Sequence, residues 1–214
     1  MSNTSASNTS YMSSSVKLHL TPTQTVGPFF SDCLLRAGAL CNSLAGDNTE
    51  GQRIRIEGHV CDGDGAPVPD AMVEIWQANS YGRYNHPADN RDLPLDPAFT
   101  GFGRTGTDED GAFLFETVKP GPVPYSDGRL QAPHINVTVF ARGLLNHLVT
   151  RLYFPDDPAT AEDPILALVP AERRATVVAQ VSNENNRAWE PDGAPVYRFD
   201  IVLQGEGETV FFNV

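Results

Sequence analysis

The sequence predicts a mainly β protein: an antiparallel β-sandwich with long loops and few short helices. Three observations carry that expectation. Apolar residues alternate with polar ones in many short runs, Gly-, Pro- and Asp-rich turns separate the runs, and only one stretch reads well as a helix.

The elements follow in order. Met1 to Ser15 is rich in Ser, Asn and Thr. Such a segment buries too little apolar surface to order itself, so residues 1–18 are assigned as a disordered tail. Residues 19–50 form an N-terminal arm with a short helical segment. Within them, Leu20 to Phe30 (LTPTQTVGPFF) holds two prolines and a glycine, which exclude a regular helix and leave an extended arm with apolar hooks at Val26, Phe29 and Phe30. Ser31 to Ser43 has room for one short helix. Residues 51–214 make up the sandwich domain. Ile54, Ile56 and Val60 alternate in a half-buried strand from Arg53, and Val73 and Ile75 mark a second strand within Val68 to Gln77. Ala78 to Arg104 is polar and proline-bearing, and a loop of that length in a compact domain is usually functional. Ala112–Val118, His134–Phe140 and Leu148–Phe154 read as further strands, with a rigid proline-rich loop from Lys119 to Pro124. Ala171 to Val181 (AERRATVVAQV) is the best helix, with Pro170 just before it. Tyr197, Phe199, Ile201 and Leu203 alternate again before Thr209 to Phe212 closes the chain.

The 214 residues suffice for one sizeable domain. The formal charge is −12, from 15 basic and 27 acidic residues, without a Lys/Arg cluster. Nucleic acid and anionic membrane surfaces are therefore excluded as partners. A small acidic substrate would need an individual arginine to overcome that field. Cys33, Cys41 and Cys61 form no CxxC pair, which argues against zinc and Fe–S sites and for reduced thiols in the cytoplasm. There is no secretory signal and no run as long as a membrane span.

Several motifs reduce to turns. Asp62-x-Asp64-Gly begins like a calcium loop, but Val73 stands where the bidentate glutamate belongs, and Asp108-x-Asp110-Gly fails the same test. Gly205 to Glu208 is glycine-rich but acidic, which would repel phosphate. No GxSxG is present and no cysteine lies in a catalytic context. His134 is different, because it opens a strand after a proline-rich loop. Residues i and i+2 on a strand share a face, so an HxH pair there would offer two imidazoles to one metal. The chain has His134-Ile135-Asn136 instead. Tyr84 could ligate a ferric ion as phenolate, although an aromatic packed under a loop is the commoner state.

The blocks LTPTQTVGPFF, VEIWQANSYGRYNH, GRTGTDEDG with VKPGP, APHINVTVFARG and YRFDIVLQGEGETVFF together resemble the intradiol ring-cleavage dioxygenases, in that family's order and spacing from about Leu20 to Val214. The resemblance implies an intradiol dioxygenase type of sandwich. It is closest to a branch built from homologous α and β chains in larger oligomers of αβ protomers. That branch cleaves the ring of 3,4-dihydroxybenzoate (protocatechuate) with O2 to give 3-carboxy-cis,cis-muconate. Its Fe(III) is bound in the β subunit by two tyrosines and two histidines.

Carried over residue by residue, the ligand positions fall on Tyr84, Val123, His134 and Asn136. One phenolate and one imidazole are missing, so the resemblance implies no complete metal site in this chain. The family's cleft arginine falls near Gln131. The α-type chain nevertheless lines its partner's substrate pocket, at positions that match Thr25, Gly27, Pro28 and Arg142. The alternatives are a stand-alone iron dioxygenase for another catechol, which Val123 and Asn136 oppose, and a non-catalytic scaffold, which the retained TVGP arm and Arg142 oppose.

Overall fold

The computed structural model describes residues 27, 29–182 and 193–213. The 1–18 tail, Val26, Thr25 and Pro28 lie outside the described residues. The first element, α1 (Phe30–Leu34), is a single turn. Its first residue, Phe30, is buried, whereas Phe29 is among the most exposed large apolar side chains. Only one of these two hooks is set in the fold.

Eleven strands follow among the described residues. They are β1 (Arg53–Cys61), β2 (Met72–Trp76), β3 (Phe102–Gly106), β4 (Ala112–Val118), β5 (Val123–Pro124), β6 (Leu130–Gln131), β7 (His134–Phe140), β8 (Leu148–Tyr153), β9 (Gln180–Ser182), β10 (Val196–Arg198) and β11 (Ile201–Val202). Strands β3, β2, β7 and β8 form one sheet in that order, paired antiparallel throughout. In the other sheet β4 pairs antiparallel along one edge of β1. The other edge of β1 is shared by β10 and then β11, both parallel to it. Those two pairs depart from the antiparallel rule, as the long chain between β1 and β10 permits.

The break between β10 and β11 has a steric cause. A Cβ on Gly58 would lie 1.9 Å from the Phe199 carbonyl oxygen, so only glycine admits this approach. There Phe199 N donates to Glu57 O at 2.8 Å, and the Asp200 carboxylate accepts the His59 N–H in place of a main-chain carbonyl. The alternation of Tyr197, Phe199 and Ile201 is real, but it runs through this dislocation.

The sheets close on a core whose alternation matches the sequence. Ile54, Ile56 and Val60 of β1, with Phe113 and Phe115 of β4, meet Val73 and Ile75 of β2 and Ile135, Val137 and Val139 of β7. Inward residues of both sheets interdigitate in this way in a sandwich. On β7 the even-numbered Asn136, Thr138 and Phe140 then face away from that core.

The helix expected over 171–181 is a correction. Ala171–Val177 is a 3-10 segment, and Gln180–Ser182 is already β9, paired with β10. Two forces override helix propensity. Thr176, Val177 and Val178 are β-branched, which disfavours the helix, and Val177 is fully buried in a satellite cluster with Ala132, Tyr153, Leu166 and Val169. Next to it, Ala179 N donates to Tyr153 O at 2.9 Å, which docks the segment along β8.

The acidic turns are turns. Asp62 Oδ1 accepts from the backbone N of Asp64 and Ala66, and Asp108 Oδ1 accepts from that of Asp110 and Ala112. No helix among the described residues is long and apolar enough to cross a membrane.

Candidate functional site

The outer face of the β3-β2-β7-β8 sheet carries a cleft of about 530 Å³. Register puts its floor together: Trp76 pairs with Asn136, and Asn136 pairs with Arg151, giving one row across β2, β7 and β8. Two residues along, His134 pairs with Tyr153. Directly paired residues project to the same side of a sheet, so these side chains share the cleft face. The β5–β6 hairpin supplies Val123, Pro124 and Gln131 to its wall.

The long loop after β2 supplies Tyr84, and its shape is set by its own polar groups. Asn79 is buried, and its Oδ1 accepts from the backbone N of Tyr81 and Arg83 while its Nδ2 donates to Pro94 O at 2.9 Å. Gly82 has φ +80°, and a Cβ there would meet Pro122 O at 2.1 Å. Asp89 accepts the Tyr84 N–H at 2.8 Å and holds the Arg91 guanidinium. The Tyr84 ring stacks on Trp76 with centroids 5.6 Å apart.

The four positions to which the resemblance assigned ligands thus converge. Tyr84, Val123 and His134 line one cleft, and Asn136 Nδ2 donates to Tyr84 Oη at 3.4 Å and to Trp76 O at 3.3 Å. His134 is 3 % exposed, and its Nδ1 donates to Ala132 O at 2.8 Å, which fixes the tautomer and leaves the Nε2 lone pair. Burial, with the Arg151 cation adding to it, pushes this imidazole down to about 4. Burial raises the Tyr84 phenol above its ordinary value, against the Asn136 hydrogen bond and the Arg151 charge. Both groups are neutral near pH 7.

Arg151 was not foreseen. Its Nη1 donates to Gln131 Oε1 at 2.8 Å and lies 3.5 Å from Tyr153 Oη, whose proton goes to Asp163 Oδ1 at 2.9 Å. Asp163 is buried and also accepts from the backbone N of Ala132, Ile165 and Leu166. A guanidinium therefore stands beside the position near Gln131 where the resemblance had lost one, delivered from the neighbouring strand. Strand pairing was the signal that could have found it, since Arg151 falls opposite Asn136.

The other assigned residues are elsewhere. Arg142 lies just beyond the far end of β7, six strand residues or roughly 20 Å from His134. Its side chain is 61 % exposed and ion-paired with Asp70 at 2.5 Å. Gly27 has φ +71°, a left-handed conformation suited to glycine.

Comparison with known proteins decides the family. A dioxygenase model (Dioxygenase_C) matches residues 26–205. The chain belongs to this dioxygenase family. It is 47 % identical to the protocatechuate 3,4-dioxygenase alpha chain of Burkholderia cepacia, over 92 % of this chain and 98 % of that one. It is 39 % identical to the beta chain from the same organism, over 78 % of this chain and 71 % of that one. Among solved structures, the dioxygenase domain of a carbohydrate-binding fusion from Streptomyces sp. SirexAA-E superposes with a TM-score of 0.58 at 25 % identity, over 86 % of this chain and 99 % of that one.

For a dioxygenase of this intradiol type, the cleft's donors do not fit iron. One phenol and one imidazole remain, an amide N–H is directed at the phenol oxygen, and Val123 offers no donor. Among the described residues no three His, Cys, Asp or Glu side chains are grouped to hold a metal.

Proposed function

We propose that this chain is the α subunit of a protocatechuate 3,4-dioxygenase, working with a homologous β subunit that carries the Fe(III). The observation that carries the reading is the state of the cleft: the family's ligand positions come together, but with Val123 and Asn136 where a phenolate and an imidazole are needed. The 47 % identity to an alpha chain supports the same assignment.

In this reading the reaction is O2-dependent ring cleavage of 3,4-dihydroxybenzoate to 3-carboxy-cis,cis-muconate, in the cytoplasm, by αβ protomers within a larger oligomer. The iron, where bound in the partner, activates the catecholate toward O2. This chain's part is to shape and close the pocket. The pocket-lining positions of the arm are Thr25, Gly27 and Pro28, and glycine at the second admits close approach of a ligand. Arg142 offers a cation and a fork of donors to its carboxylate. The exposed side chain of Arg142, held by Asp70 and distant from the chain's own cleft, suits a residue that serves a neighbour.

Steady-state kinetics of the complex carrying Arg142→Ala test the proposal. Loss of one charge-assisted contact should raise KM for protocatechuate by about tenfold or more. Unchanged KM and kcat would remove Arg142 from the pocket.

A further inference from the structure

The cleft that does not fit iron is still a built cavity. Its lining combines three kinds of surface: the stacked rings of Trp76 and Tyr84, the apolar wall of Val123 and Pro124, and the guanidinium of Arg151. The other guanidinium in the lining, Arg91, is neutralised by Asp89. Arg151 has no carboxylate partner among the described residues. Only its Nη1 is engaged, by the neutral Gln131 and Tyr153. Its Nε and Nη2 make no hydrogen bond among the described residues, yet neither is a buried unsatisfied atom, so both are accessible.

A cation with two free donors in a chain of charge −12 is a local exception to the field of the whole molecule. Those donors lie in the planar arrangement that matches a carboxylate. Tyr84 Oη accepts from Asn136 and so keeps its own proton to donate. His134 has its Nδ1 engaged with Ala132 and its Nε2 lone pair unmatched. The polar complement is therefore a carboxylate group on one side and hydroxyl-bearing or neutral edges on the other, between planar apolar walls.

We propose that this cleft is a metal-free binding site for a small aromatic carboxylate, held by Arg151 through its carboxylate and by the Trp76–Tyr84 wall through its ring.

Calorimetric titration of the full chain with benzoate and 4-hydroxybenzoate tests this, with benzyl alcohol as the uncharged arm. Both carboxylates should bind with 1:1 stoichiometry. Benzyl alcohol and the Arg151→Gln variant should each lose about tenfold or more in affinity. Amide chemical shifts of 134–136 and 151 should move in the wild type on titration. Trp76→Leu serves as a second variant, and it should weaken benzoate binding while leaving Arg151 in place. Absence of binding at millimolar benzoate would overturn the proposal. So would equal affinity for benzyl alcohol, or unchanged benzoate affinity in a folded Arg151→Gln chain.

Discussion

Asn136 and Arg151 sit opposite each other on β7 and β8, an amide and a guanidinium on the same face of the sheet. The amide is directed at Tyr84 Oη and the guanidinium at Gln131 Oε1. The cleft has therefore lost ligands but keeps a fixed positive charge beside the remaining phenol and imidazole, delivered by β8 instead of by the position near Gln131.

That charge predicts how a metal site would have to be rebuilt. Val123→Tyr with Asn136→His restores two phenols and two imidazoles but leaves the Arg151 cation against the ion. Like charge disfavours a trivalent cation, so this double variant should take up iron only weakly. Adding Arg151→Gln should increase iron content and the visible phenolate-to-iron absorption. Equal iron uptake in the double and triple variants would show that Arg151 has no part in excluding metal.

His134 predicts a pH dependence of stability. Its folded value is lowered from 6.5 to about 4, chiefly by burial. Between those values the unfolded chain binds a proton that the folded chain refuses, so stability falls as pH drops through this window and is fully present above it. The gap is worth about 3 kcal/mol. Arg151 lowers the value further, while the Ala132 carbonyl and Asp163 partly offset the shift. Urea unfolding midpoints should drop from pH 7 to pH 4.5, and His134→Gln should flatten that slope. An unchanged slope in the variant would assign the effect to other groups.

Asp163 predicts a stability hot spot outside the main core. Its buried carboxylate accepts three backbone N–H groups and the Tyr153 hydroxyl. Asp163→Ala strands all four donors and should cost about 3 kcal/mol or more. Because Tyr153 links Asp163 to Arg151, the same variant should also loosen Arg151. A loss below about 1 kcal/mol in denaturant unfolding would contradict this.

The sequence made the strands legible wherever one face is buried. Alternation alone placed β4 over Ala112–Val118 and β7 over His134–Phe140, because period-two burial leaves a direct trace in residue order. The segment 171–181 misled for the opposite reason. Its local propensity is helical, but its β-branched residues are claimed by a tertiary cluster and by β8, which a local reading cannot see. Gly58 gave no local signal either, since its role depends on Phe199, which lies between β10 and β11 and far away in sequence. At the cleft, the resemblance brought forward Tyr84, Val123, His134 and Asn136, and these do meet. Arg151 stayed hidden because its importance lies in its register opposite Asn136.

The central claim is that this dioxygenase chain completes an active site whose iron lies in another polypeptide. Iron content and protocatechuate turnover, measured on this chain purified alone and again after co-expression with its β partner, test it most directly. The account predicts a colourless, iron-free, inactive chain alone, and activity in the complex with iron stoichiometric to the partner. Stoichiometric iron and ring cleavage in the isolated chain would contradict it.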